Sequence, residues 1–260
     1  MPYRIFILLL ICLQALQVYS QDSFRYNTKW HISTSIGGTT TLRPFLKGEV
    51  TDPLVEFDDH TFSWQFLSAS YFFKKHWGVA FNIQWSYPQK AAEKVDQFNQ
   101  LMQAQYEKNY YVNSSAGNSY SLDPDFVGKI TSGYLGIVYR TEWPRFFVYP
   151  KLAIGITSFF TNWGLVDLKQ KNTNDVLEVS YKPDEKRDFF TFSASALAGY
   201  KLSKRIFLHI EPLGAFHNTR FNYTKTTTNL NSQESITEIV PYKRNVLSLS
   251  LTAGLTYVIK

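Results

Sequence analysis

The chain has 260 residues, with 27 Lys and Arg against 21 Asp and Glu and a formal net charge of +6. Aromatic residues make up 17% and charged residues 18%. A mean hydropathy of −0.22 excludes a helical membrane protein, which needs runs of about 20 apolar residues. The modest cationic excess speaks to solubility and nonspecific attraction, to anionic lipid for example, rather than to a dedicated partner.

The chain opens on Arg4 followed by an apolar run over residues 5–16, then Val18, Tyr19 and Ser20 before Gln21. This pattern predicts a cleaved secretory signal peptide over residues 1–20, leaving residues 21–260 as one domain. The single cysteine, Cys12, falls inside that signal. An exported domain with no disulfide has to be held by a large core or by a closed, fully hydrogen-bonded barrel. Export, and aromatics locked in a strand pattern, also set nucleic acid aside as a partner.

The first strand is predicted where Trp30, Ile32, Thr34 and Ile36 alternate with His31, Ser33 and Ser35, ending at Gly37 and Gly38. A second follows from Thr61 to Phe73, where Phe66, Leu67, Tyr71, Phe72 and Phe73 do not sort cleanly onto faces, a sign of a bulge. A third is read from Trp77, Val79, Phe81, Ile83, Trp85 and Tyr87 against Gly78, Ala80, Asn82, Gln84 and Ser86. Trp77 stands at one end of its apolar face and Trp85 and Tyr87 at the other, where aromatic girdles meet the two membrane interfaces. Strand four is expected at Phe126 to Arg140, five at Phe146 to Thr157, six at Phe190 to Tyr200 and seven at Ile206 to His217. The eighth closes the chain from Val246. There Leu247, Leu249, Leu251, Ala253, Leu255, Tyr257 and Ile259 alternate with Ser248, Ser250, Thr252, Gly254 and Thr256. A strand that long, apolar on one side and small and polar on the other, suits a wall between lipid and a polar lumen.

Connections alternate in length: long at 38–60, short at 74–76, long at 88–125, short at 141–145, long at 161–188, short at 202–204 and long at 224–244. An up-and-down barrel gives this alternation, with short periplasmic turns, long extracellular loops and both termini periplasmic. The segment from Ala198 to Arg205 and the closing strand from Leu249 carry a resemblance. In these the chain resembles the small outer-membrane β-barrel family of Gram-negative bacteria, OmpA-type in architecture and porin-like in its outer wall. The resemblance implies an eight-stranded antiparallel up-and-down transmembrane barrel in the bacterial outer membrane. It further implies contact with outer-membrane lipid and lipopolysaccharide, and insertion by the barrel assembly machinery.

Alternation points Lys151, His209 and Glu211 into the lumen, where buried charges have to be paired. The cluster is read as a lumen network that fills the barrel, or as a proton or ion path. A lipid-modifying centre would need a His beside a hydroxyl nucleophile, open to the bilayer. His217 and Thr219 share a face, but it is the lumen face. His31, His60 and His76 have no metal-ligand spacing, and no cofactor is expected. In the second long loop Val95, Phe98, Leu101 and Met102 recur at helical spacing from about Pro88, predicting an amphipathic helix. Its apolar face would fold over the barrel mouth, dock on a partner protein or rest on the outer leaflet. The expected function is non-catalytic: membrane anchoring and interaction, or an accessory subunit, through extracellular loops. A small-solute channel, a lipid-modifying enzyme and a soluble lipocalin-type barrel with apolar side chains inside are the alternatives.

Overall fold

Lipid cannot hydrogen-bond a peptide group, so a strand wall inside a bilayer has to close on itself. The computed structural model of the chain describes residues 28–42, 49–55, 60–88, 91–118, 130–159, 161–183 and 188–259. The predicted signal peptide and residues 126–129 of the fourth expected strand lie outside them. The strands are β1 (Trp30–Thr41), β2 (His60–Phe72), β3 (Trp77–Pro88), β4 (Tyr110–Asn118), β5 (Ile130–Tyr139) and β6 (Thr141–Glu142). They continue with β7 (Phe146–Ser158), β8 (Asn162–Gln170), β9 (Val176–Pro183), β10 (Asp188–Lys201), β11 (Ile206–Asn229) and β12 (Ser235–Ile259). One helix, α1 (Ala91–Tyr106), lies between β3 and β4.

Eight of these strands form a closed antiparallel ring in the order β1-β2-β3-β5-β7-β10-β11-β12 and back to β1. The ring is the one expected from the sequence. Trp30 pairs with Ile259, so the first and last ring strands meet at the short-turn end. Side chains alternate around it as the pattern requires. Ile36, Leu135, Leu152, Ile154, Ile156 and Leu251 point outward and are each more than half exposed. Ser35, Ser63, Gln65, Gln84, Thr157 and Thr252 point inward and are buried. An apolar exterior around a polar interior is the inverse of a soluble lipocalin-type barrel, and it fits a wall facing hydrocarbon. At the short-turn end, cross-strand aromatic pairs ring the belt: Trp30 with Tyr71 at 4.7 Å, Trp77 with Tyr139 at 5.0 Å and Phe146 with Tyr200 at 5.4 Å between ring centroids. The bulge in β2 is present. Its register slips between Gln65 and Leu67 against β3, and between Ser33 and Ser35 of β1. Phe66 is thereby turned outward to stack on Trp85.

The loops hold more order than the sequence reading assigned them. β11 and β12 run 24 and 25 residues, about 80 Å each at about 3.3 Å per residue, whereas crossing a bilayer takes only about 9–11. Their upper halves leave the ring and continue as a five-stranded sheet in the order β12-β11-β9-β8-β4. The segments 88–125, 161–188 and 224–244, read as loops, supply that sheet and its helix. α1 starts at Ala91 rather than at Pro88, which ends β3. It lies against β4 and a 3-10 turn at Asp52–Leu54. Its buried face enters a core of Leu54, Val166, Leu168, Val179, Tyr181, Phe221, Tyr223 and Tyr242. Phe98 sits edge-on to Tyr181 and over Gly164, where an added Cβ would come within 2.6 Å of its ring.

Phe98 is fully buried. Truncating it, Phe98→Ala, is expected to destabilise the long-loop sheet by about 3–5 kcal/mol. Hydrogen exchange would then speed up in β8 and β9 while the amides of the β1–β12 seam stay protected.

Candidate functional site

The chemistry of the lumen changes level by level, because each inward position is fixed by strand parity. Nearest the short turns, three charges are gathered that the sequence reading did not single out. Lys201 Nζ donates to Glu142 Oε2 at 2.6 Å and Tyr149 Oη donates to Oε1 at 2.6 Å, with Arg140 Nε 3.9 Å from the same carboxylate. Arg140 also donates to the carbonyls of Lys75 and Thr28, and its guanidinium lies 4.2 Å from the Phe72 ring centroid. Phe72, Val138, Phe147, Leu197, Phe207 and Val258 pack around this group, and His31 sits among the rings of Phe72, Tyr149 and Phe207. The clue in the sequence was the charge flanking two of the short turns, Arg140 and Glu142 at one and Lys201 at the other.

One level up, the predicted cluster is brought together from two strands, β7 and β11, with partners from β10 and β12. Lys151 from β7 donates to Glu211 Oε1 from β11 at 2.9 Å, and Ser195 Oγ from β10 donates to the same oxygen at 2.7 Å. His209 Nδ1 is hydrogen-bonded to Thr256 Oγ1 at 3.0 Å. All three predicted residues are buried, and the two opposite charges are paired. Above them hydroxyls bridge the wall: Ser35 to Gln65 and Thr252, Thr39 to Ser63 and Ser250, Ser63 to Ser86. His217 is held between Thr191 and Ser248, at 3.0 Å each, and Thr191 continues through Thr157 to Ser132. The cavity lined by Gln84, Tyr134, His217 and Ser250 has a volume of about 30 Å³, about a single water's share of the liquid. Side chains thus fill the lumen at each level described, as expected for eight strands.

Past His217 the inward face of β11 turns from polar to apolar. Thr219 is followed by Phe221 and Tyr223, which join the core beneath α1. That settles where the helix residues lie. Phe98 and Met102 are fully buried, Leu101 packs against the same core and Val95 is half-buried. The apolar face chosen as a docking surface is therefore turned inward over the barrel mouth, since an exposed Phe–Met stripe would forfeit its burial. Lys94 Nζ on this helix donates to the Val55 carbonyl at 2.7 Å. Beyond the belt, burial pushes the Tyr181 hydroxyl pKa up, with Tyr106 and Glu238 adding to the shift. Arg244 bridges to Glu49 at 2.5 Å and Asp52 at 3.2 Å, fastening the 3-10 turn to β12. Among the described residues, no group of His, Cys, Asp and Glu is arranged to hold a metal.

The Lys151–Glu211 pair gives a direct test. Glu211→Gln or Lys151→Met alone should cost about 3–5 kcal/mol by leaving one buried charge unpaired. The joint Lys151→Met/Glu211→Leu change should recover most of that loss, in urea unfolding of the folded protein in detergent.

No protein-family model matches the chain, and no curated protein matches it in sequence. Solved structures of similar shape include a major outer membrane protein of Thermus thermophilus, at 10% identity and a TM-score of 0.43, covering 90% of this chain and 100% of that one. The Yersinia pestis attachment invasion locus protein Ail matches at 11% identity and 0.38, covering 89% and 99%. The Escherichia coli outer membrane protease OmpT matches at 11% and 0.35, covering 89% and 97%. The chain's own ring closure, apolar outer belt and polar lumen are those of an eight-stranded antiparallel transmembrane β-barrel.

Proposed function

We propose that the protein is a non-catalytic outer-membrane barrel that anchors a folded extracellular unit and acts by interaction through it. The barrel domain then has both ends at the periplasmic, short-turn side. The observation that carries this reading is the continuation of β11 and β12 into a five-stranded sheet with α1 packed against it. A barrel serving only as a wall would need none of this ordered structure outside the bilayer. Support against a pore comes from the packed lumen, where paired charges and hydroxyl bridges occupy successive levels. Support against lipid chemistry comes from His217, which is buried, bonded on both ring nitrogens and turned away from the outer face, while a catalytic base has to reach its substrate.

The protruding hairpin ends in the most exposed apolar side chains of the described chain, Ile239 at 72% and Ile236 at 68%. A pull-down from outer membranes in mild detergent should recover stoichiometric companions with the native protein and lose them with Ile236→Lys/Ile239→Lys. In planar bilayers the native protein should give no discrete conductance steps. Absence of companions with both proteins, or the appearance of such steps, overturns the reading.

A further inference from the structure

The outward faces of β11 and β12 just above the apolar belt hold a pairing that a sheet ordinarily avoids. Arg220 and Lys243 stand directly opposite each other in the β11–β12 register, both exposed and on the same face. Like charges in that position repel. The same hairpin uses opposite charges five residues further up, where Lys225 pairs with Glu238 at 3.2 Å. The neighbouring Arg244, which faces the other way, has Glu49 and Asp52. Arg220 and Lys243 form no ion pair with any described residue.

Below the two cations the outward columns read Asn218 and Asn245, then Phe216 and Leu247, then Gly214 and Leu249. At Gly214 the wall becomes concave. A groove of about 930 Å³ crosses β10, β11, β12 and β1, floored by the small residues Gly38, Ala194, Ala196, Pro212 and Gly214. A second of about 710 Å³ meets it at Ala194 and Gly214 and reaches up to Phe216 and Leu247. Six residues separate Gly214 from Arg220, about 20 Å along the strand. With strands tilted roughly 40°, that is about 15 Å along the membrane normal, the depth of one leaflet's hydrocarbon.

We propose that this face binds one phosphate-bearing lipid of the leaflet at the long-loop end, its phosphate between Arg220 and Lys243 and its acyl chain in the groove beneath. The phosphate neutralises two charges that repel each other, and the small residues let a chain lie against the wall at the depth where it ends. A zwitterionic lipid brings its own cation to the same spot and gains less.

Native mass spectrometry of the protein from neutral detergent tests this, with phosphatidylglycerol, lipid A or phosphatidylcholine added in turn. The native barrel should retain one phosphatidylglycerol or lipid A in about tenfold preference over phosphatidylcholine. Arg220→Gln/Lys243→Gln should abolish the preference, and Lys169→Gln/Lys171→Gln, which removes the same charge elsewhere, should keep it. Gly214→Leu should weaken retention with both cations present. It should also fold, because a Cβ there meets only ordinary contacts, the nearest 3.5 Å away. An unchanged preference in the Arg220/Lys243 variant overturns the site, as does equal retention of all three lipids by the native protein. Displacement of the lipid by inorganic phosphate alone would overturn the chain-binding half of the proposal.

Discussion

Closure of the hydrogen-bonded ring is the constraint on which everything else in the molecule depends. Twelve register pairs zip β1 to β12, from Trp30 with Ile259 to Thr41 with Ser248, and no ring strand is left with an open edge in the belt. Once the ring is closed, strand parity assigns every side chain to lipid or lumen. The lumen of eight strands is just wide enough for side chains to fill it, and its buried polar residues turn to one another for hydrogen bonds. The Lys151–Glu211 and Lys201–Glu142 pairs and the serine and threonine bridges between them are the form that satisfaction takes.

The same parity explains how one continuous strand can serve three environments. Along β11 the inward positions pass from Phe207 in the aromatic floor, through His209, Glu211 and His217 in the polar lumen, to Phe221 and Tyr223 under the helix. The outward positions pass from Ile206, Leu208 and Ile210 in lipid to Asn218 and Arg220 beyond it. Neither face changes direction; only the chemistry placed on it does.

Much of this was legible in the sequence, because alternation with period two is a strong signal when a strand separates lipid from a polar interior. All eight ring strands, the bulge in β2 and the inward direction of Lys151, His209 and Glu211 could be read that way. The sheet beyond the belt was not, for a physical reason. Outside lipid, a strand no longer needs an uninterrupted apolar face, so Tyr110–Asn118, with Asn113, Ser114, Ser115 and Gly117, reads as a loop tip. In β8 the pattern was present, with Gly164, Val166 and Leu168 inward, but a glycine at the position where Phe98 rests weakens it. The helix was visible from its periodicity. Where its apolar face goes was not, because that depends on tertiary partners such as Leu54, Val166 and Tyr181, distant in sequence. The charges at the short turns were overlooked for the opposite reason: charged residues beside turns are so common that only three-dimensional convergence distinguishes Arg140, Glu142 and Lys201.

The register of β11 against β12 is unbroken from Ile206 with Tyr257 to Thr228 with Ser235, so a single ladder links the tip of the long-loop sheet to the short-turn end of the barrel. This has a mechanical consequence. Hydrogen bonds in an antiparallel ladder lie across the strands. A pull on the tip directed out of the membrane therefore acts along the ladder and across its rungs. It loads the bonds to β1 and β10 in shear, many at once, instead of peeling them singly. A surface feature attached at that tip would be tied to the entire barrel wall, and the hairpin would transmit tension to the membrane as a stiff rod.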